Sequence, residues 1–117
     1  MRKLLSLTPV LALFACGGGG GSDNQITNPP PPPVVTTSVT LQNLAFSPKA
    51  IKVSPSATVS FTNSDGIVHN VTFSSTAVTS VANFSTGTKT VAMPATAGTY
   101  AYHCTIHAGM TGSVLVQ

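Results

Sequence analysis

"AGTYAYHCTIHAGMTGSVLV", residues 97–116, opens with a two-residue period. Tyr100, Tyr102 and Cys104 fall on one side and Ala101 and His103 on the other, the pattern of a strand with one buried face. Cys104 therefore follows the aromatic residues inward, and His103 is expected to face solvent. Cys104, His107 and Met110 are spaced by three, which would also align them on one face of a helix. A helix is a poor fit, because the segment continues a β-type run and contains Gly109 and Gly112. A loop between two strands fits better, and it can curl three side chains around one point.

Upstream, "VHNVTF" (68–73) puts His69, Val71 and Phe73 on a shared face of core character. A histidine there is buried and needs a partner. In "ATVSFT" (57–62), Ala57, Val59 and Phe61 alternate with Thr58, Ser60 and Thr62. The same texture predicts strands near 37–46, 50–54, 57–62, 68–74, 88–93, 98–104 and 112–117, with 75–87 as a turn or long loop. Short strands divided by Pro, Gly, Asn and Ser, with no helical period of useful length, predict an all-β sandwich. Met93 alternates with Val91 and is expected to pack in its core.

Composition limits what surrounds this domain. The chain has 117 residues, 6% of them charged, with nine prolines and ten glycines. That allows one small domain plus segments unable to build a core. Residues 1–15 read as an export signal, with basic "MRK" followed by an apolar run from Leu4 to Phe14 that is too short to span a bilayer. Leu13, Ala15 and Cys16 resemble the bacterial lipobox, which implies cleavage before Cys16 and lipid attachment at that thiol. Residues 16–36, including "GGGGGSDNQITNPPPPPVV" (17–35), form a Gly/Pro-rich linker, flexible first and stiffer through the proline run. The expectation is a domain at 37–117 anchored to a membrane through Cys16 and facing the periplasm of a bacterial envelope. By analogy with lipoprotein sorting, Gly17 after the cysteine favours the outer membrane over the inner.

Removing Arg2 and Lys3 with the signal leaves three lysines against two aspartates, a net charge of +1. No basic cluster remains, which argues against nucleic acid as a partner. With Cys16 committed to lipid, Cys104 has no disulfide partner in an oxidising compartment, so it is expected to be buried or metal-bound.

His69, Cys104, His107 and Met110 together form a specific donor set. Two imidazoles and a thiolate suit copper or zinc, whereas a weak axial thioether is the pattern of blue-copper sites. Structural zinc sites close with stronger ligands. Copper is therefore the expected cofactor, one ion per chain.

"VSFTNSDGIVHNVTF" (59–73) followed by "AGTYAYHCTIHAGMTGSVLV" resembles the cupredoxins, the plastocyanin and azurin group of blue-copper electron carriers, across about residues 37–117. The Cys-x2-His-x2-Met spacing is most similar to the amicyanin type. The resemblance implies a Greek-key β-sandwich of about seven to eight strands. It implies that His69, Cys104 and His107 form the trigonal ligands of a type 1 copper, with Met110 as the long axial one. Asn70 would brace the cysteine loop by hydrogen bonds. The implied function is one-electron transfer between redox partner proteins, with His107 as the exit port and Ala108, Phe46 and Ala45 as neighbours. Phe46 is equally readable as core. The chain departs from its relatives at Phe61, where tryptophan is common, and at Val68 and Ile106, where proline is frequent.

Two functional classes follow: a monomeric electron carrier tethered in the envelope, or a copper storage or delivery protein of the periplasm. The second would call for Met-rich or His-rich tracts, which are missing. An oxidase or reductase would need His-x-His pairs for further copper sites, and none occurs in the sequence.

Overall fold

The computed structural model describes residues 29–117. The expected signal, Cys16 and residues 16–28 of the expected linker lie outside the described residues. The described chain is a sandwich of two sheets, as the alternating segments predict. One sheet joins β1 (Val34–Val35), β4 (Ala50–Val53), β10 (Thr111–Val116), β9 (Gly98–His103), β6 (His69–Phe73) and β7 (Val81–Phe84), in that order. The other joins β3 (Ala45–Ser47), β2 (Ser38–Gln42), β5 (Thr58–Asn63) and β8 (Gly87–Ala92). β1 runs parallel to β4, β4 to β10 and β2 to β5, while the remaining pairs are antiparallel.

The two-residue period places the core between the sheets. Val39, Leu41, Phe46, Val59, Phe61 and Val91 enter from the smaller sheet. Ile51, Val53, Val71, Phe73, Tyr102, Val114 and Val116 meet them from the larger. At the centre, Tyr102 packs edge-on against Phe46 and Phe61, with ring centroids 4.8 and 5.3 Å apart, and tilted against Phe73 at 5.2 Å. Such edge-to-face pairs add about 0.5–1.5 kcal/mol each beyond the area they bury. The ring of Tyr102 lies over its cross-strand partner Gly112: a Cβ at that position would come within 2.5 Å of the tyrosine Cζ and hydroxyl oxygen. Met93 packs in the core.

Four details differ from the sequence reading. The segment 37–46 is two strands, β2 and β3, joined by a two-residue turn. Asn43 and Leu44 both hold positive φ there, +53° and +57°, as a hairpin of this length requires. The usual glycine is replaced by leucine, which hid the turn. Within 75–87, residues 81–84 form β7, paired to β6 across an irregularity between His69 and Val71. Val34 and Val35, inside the segment read as linker, pair with Ile51 and Lys52. His103 is half-buried rather than open to solvent, because it sits between Thr72 of β6 and Thr111 of β10.

Candidate metal centre

β6 delivers His69, and the 104–110 loop between β9 and β10 delivers Cys104, His107 and Met110. The loop is closed by backbone bonds: the Cys104 N–H donates to the Met110 carbonyl at 2.9 Å, and the Met110 N–H to the His107 carbonyl at 3.3 Å. Gly109, with φ +80°, supplies the left-handed residue this tight path needs. Cys104 and Met110 are buried, His69 is fully buried and His107 is partly open. Among the described residues Cys104 carries no disulfide.

The donor atoms of His69, Cys104 and His107 lie within 4.8 Å of one another. The two Nδ1 atoms are 3.1 Å apart, and Cys104 Sγ is 3.6 Å from His107 Nδ1. Ligands about 2.0 Å (nitrogen) and about 2.3 Å (sulfur) from one small ion stand no more than about 4.3 Å apart, and the 3.1 and 3.6 Å separations fall inside that limit. The donor set thus fits a soft or borderline metal. Met110 is buried in the same loop, where its thioether belongs to the core cluster.

Asn70 follows the first histidine and is also buried. Its Oδ1 accepts the Thr105 N–H at 3.0 Å and the Thr72 hydroxyl at 2.9 Å. Its Nδ2 donates to Thr105 Oγ1 at 2.7 Å and Asn83 Oδ1 at 3.0 Å. Every donor and acceptor of the amide is occupied, and two of the bonds fall on the residue next to Cys104.

Sequence reasoning missed Asp65. Its Oδ2 accepts the His69 Nε2–H at 2.7 Å, so Nε2 carries the hydrogen and the Nδ1 lone pair is free to face the other donors. The same carboxylate accepts the Asn43 N–H on Oδ1 at 2.6 Å and the Leu44 N–H on Oδ2 at 3.2 Å. Partial burial alone would raise this carboxyl, but the His69 ring and the N–H groups of Leu44 and Asn43 outweigh it and hold it below its ordinary value. Asn63 fixes the intervening loop, donating Nδ2 to the Ile67 and Phe84 carbonyls and accepting the Asp65 N–H. A signal existed in "NSDG", a turn sequence with an acid four residues before a buried histidine, but the groups that Asp65 clamps lie more than twenty residues away.

Of the expected neighbours of His107, Ala108 and Ala45 are exposed, while Phe46 is core, 3% exposed and edge-on to Tyr102. Ile67, Val68 and Ile106, flanking the two histidines in sequence, are large apolar residues left 43–47% exposed.

Comparison with known proteins places this geometry. The profile of the copper-binding proteins of the plastocyanin/azurin family matches residues 33–117. A plastocyanin of Scenedesmus fuscus is 35% identical over 86 residues, covering 63% of this chain and 88% of the relative. Chlamydomonas reinhardtii chloroplastic plastocyanin is 34% identical over 86 residues, and the chain spans 59% of its length. Among solved structures, a reduced Cu(I) form of an amicyanin mutant aligns with TM-score 0.63 and 25% identity, covering 70% of this chain and 82% of that one. A second reduced amicyanin mutant aligns with TM-score 0.62 and 26% identity, covering 72% and 86%.

The chain therefore belongs to the copper-binding plastocyanin/azurin family, the cupredoxins. It is an electron carrier with one type 1 copper, not an enzyme.

Proposed function

We propose that this protein carries single electrons between redox partner proteins while tethered in a bacterial cell envelope, with His69, Cys104 and His107 holding the copper and Met110 as a weak fourth ligand. The observation that carries this reading is the convergence of two imidazole nitrogens and one thiol sulfur within 4.8 Å, on a strand and a loop that are braced independently of any ion. Copper, when bound, supplies one-electron exchange between Cu(II) and Cu(I). The protein's part is to keep the donors in place through that exchange. Asn70 pins the loop at Thr105, the Cys104-to-Met110 backbone bond closes it, and burial of Cys104 and Met110 excludes water from the sulfur ligands.

His107 is the electron port in this reading. It is the donor least covered by protein, and exposed Ile106 and Ala108 flank it. Partner proteins dock there briefly, and the carrier works as a monomer. Lipid on Cys16 is the proposed anchor, with residues 16–36 as spacer and the outer membrane as the favoured address.

The Cu(II) protein should show an intense absorption near about 600 nm from thiolate-to-copper charge transfer. Cys104→Ser should abolish it, and a colourless wild-type copper complex would overturn the site. Reduced protein should pass its electron to an acceptor protein and keep its copper; loss of copper to the acceptor would point to delivery instead. Cys16→Ser should release the protein from the membrane fraction.

A further inference from the structure

We propose that Asp65 is the positioning residue of the copper centre: its carboxylate fixes the tautomer and angle of the His69 ring and biases the site toward Cu(II). The proposal rests on the reading of His69 as a ligand. Its physical basis is a single carboxylate that accepts three donors at once, the His69 Nε2–H and the backbone N–H groups of Asn43 and Leu44.

Those two backbone groups belong to the β2–β3 turn, where Leu44 holds φ +57°. A bulky residue rarely adopts that conformation, and it persists where surrounding structure over-determines it. The carboxylate supplies the determination. On the other side, Asp65 is itself held by its N–H on Asn63 Oδ1, and the Asn63 amide is tied to the carbonyls of Ile67 and Phe84. The Ser64 N–H is bound to the Leu41 carbonyl. The acid is thus fixed by three segments before it touches the imidazole. The His69 ring is completely buried, so its end of the bond is held away from bulk solvent.

A carboxylate on the far nitrogen of a ligating imidazole raises its basicity and fixes its orientation. The more basic ring favours the more highly charged ion. Asp65 therefore stabilises Cu(II) relative to Cu(I) and lowers the reduction potential below that of the same donor set with a neutral acceptor. The electron gained on reduction resides on the metal, and no proton or bond at Asp65 changes.

The test compares reduction potential and visible spectrum in copper-loaded wild type, Asp65→Asn and Leu44→Gly. Asp65→Asn removes the charge, and the amide cannot accept from all three donors. The Cu(II)-to-Cu(I) affinity ratio should fall about tenfold, which for one electron is a rise of about 59 mV. Leu44→Gly relieves the turn without touching the carboxylate and should shift the ratio less than about twofold, small beside the tenfold change expected of a lost outer partner. An Asp65→Asn shift below twofold, or an equal shift in Leu44→Gly, would overturn the proposal.

Ring nitrogen NMR of metal-free wild type decides the same point without copper and without a variant. The His69 proton should sit on Nε2 and exchange slowly, and a proton found on Nδ1 would overturn the proposal. A wild-type protein that is not blue would sink the copper reading, while the ring measurement would still judge Asp65 separately.

Discussion

The aromatic centre of the sandwich and the metal end of β6 treat polar atoms in opposite ways. Tyr102 is among the most deeply buried residues, yet its hydroxyl has no hydrogen-bond partner among the described residues. Asn70, nearly as buried, has all four of its amide bonds made, and Asp65 accepts three. Packing holds the centre, where dispersion and apolar burial are non-directional and tolerate one orphaned oxygen. Hydrogen bonds hold the metal end, where direction is the point. Stability and ligand placement thus rest on separate sets of residues, and substitution in each set should show different symptoms.

The largest stability loss should come from the centre. Phe61→Ala removes a fully buried ring in contact with Phe46, Phe73 and Tyr102 and should cost about 3–5 kcal/mol. Urea unfolding of metal-free protein would measure this, and the copper spectrum of the surviving folded fraction should match wild type. A changed spectrum would break the separation.

Asn70→Ala tests the opposite end. It removes a buried amide that makes four hydrogen bonds, among them the acceptor of the Thr105 N–H, and should cost about 1–3 kcal/mol. Copper affinity should fall about 10–100-fold, as for other residues that orient ligands from behind. A competition titration would read the affinity; affinity unchanged beside lowered stability would make Asn70 an ordinary structural residue.

The smallest effect belongs to the orphaned hydroxyl. Desolvation raises the Tyr102 phenol above its ordinary value. Since the folded state holds this proton more tightly than the unfolded chain, its contribution is complete below the unfolded value of about 10 and is lost as pH rises past it. Tyr102→Phe should leave stability within about 1 kcal/mol at pH 7 and flatten the decline in melting temperature above about pH 10. A loss of several kcal/mol at neutral pH would reveal a hydroxyl partner.

The sequence displayed the parts of this molecule that repeat or cluster locally. The alternation of Val59 and Phe61, or of His69, Val71 and Phe73, is the sandwich itself written at period two. Cys104 and His107 share one short loop with Met110, so the meeting of the first two with His69 needed only the direction of β9. What stayed hidden depends on distant partners or on broken rules. Asp65 looked like any turn acid because its backbone donors come from the β2–β3 hairpin. That hairpin was invisible because leucine stands where glycine or asparagine is expected. β7 escaped because "VANF" buries only its last residue well and pairs irregularly with β6. Phe46 was undecidable between surface and core until its edge-on contact with Tyr102 was seen.

The two-residue strand β1 also has a mechanical meaning. Force applied to the domain through residue 29 reaches it first at the pairings of Val34 with Ile51 and Val35 with Lys52, two steps of parallel ladder at a sheet edge. β4 is itself held on its other side by four register pairs with β10, so the load would part β1 before it disturbed the strand beneath. The pairings of Val34 and Val35 lie at the opposite edge of that sheet from β6 and β7, so their loss would leave the strand that carries His69 in place.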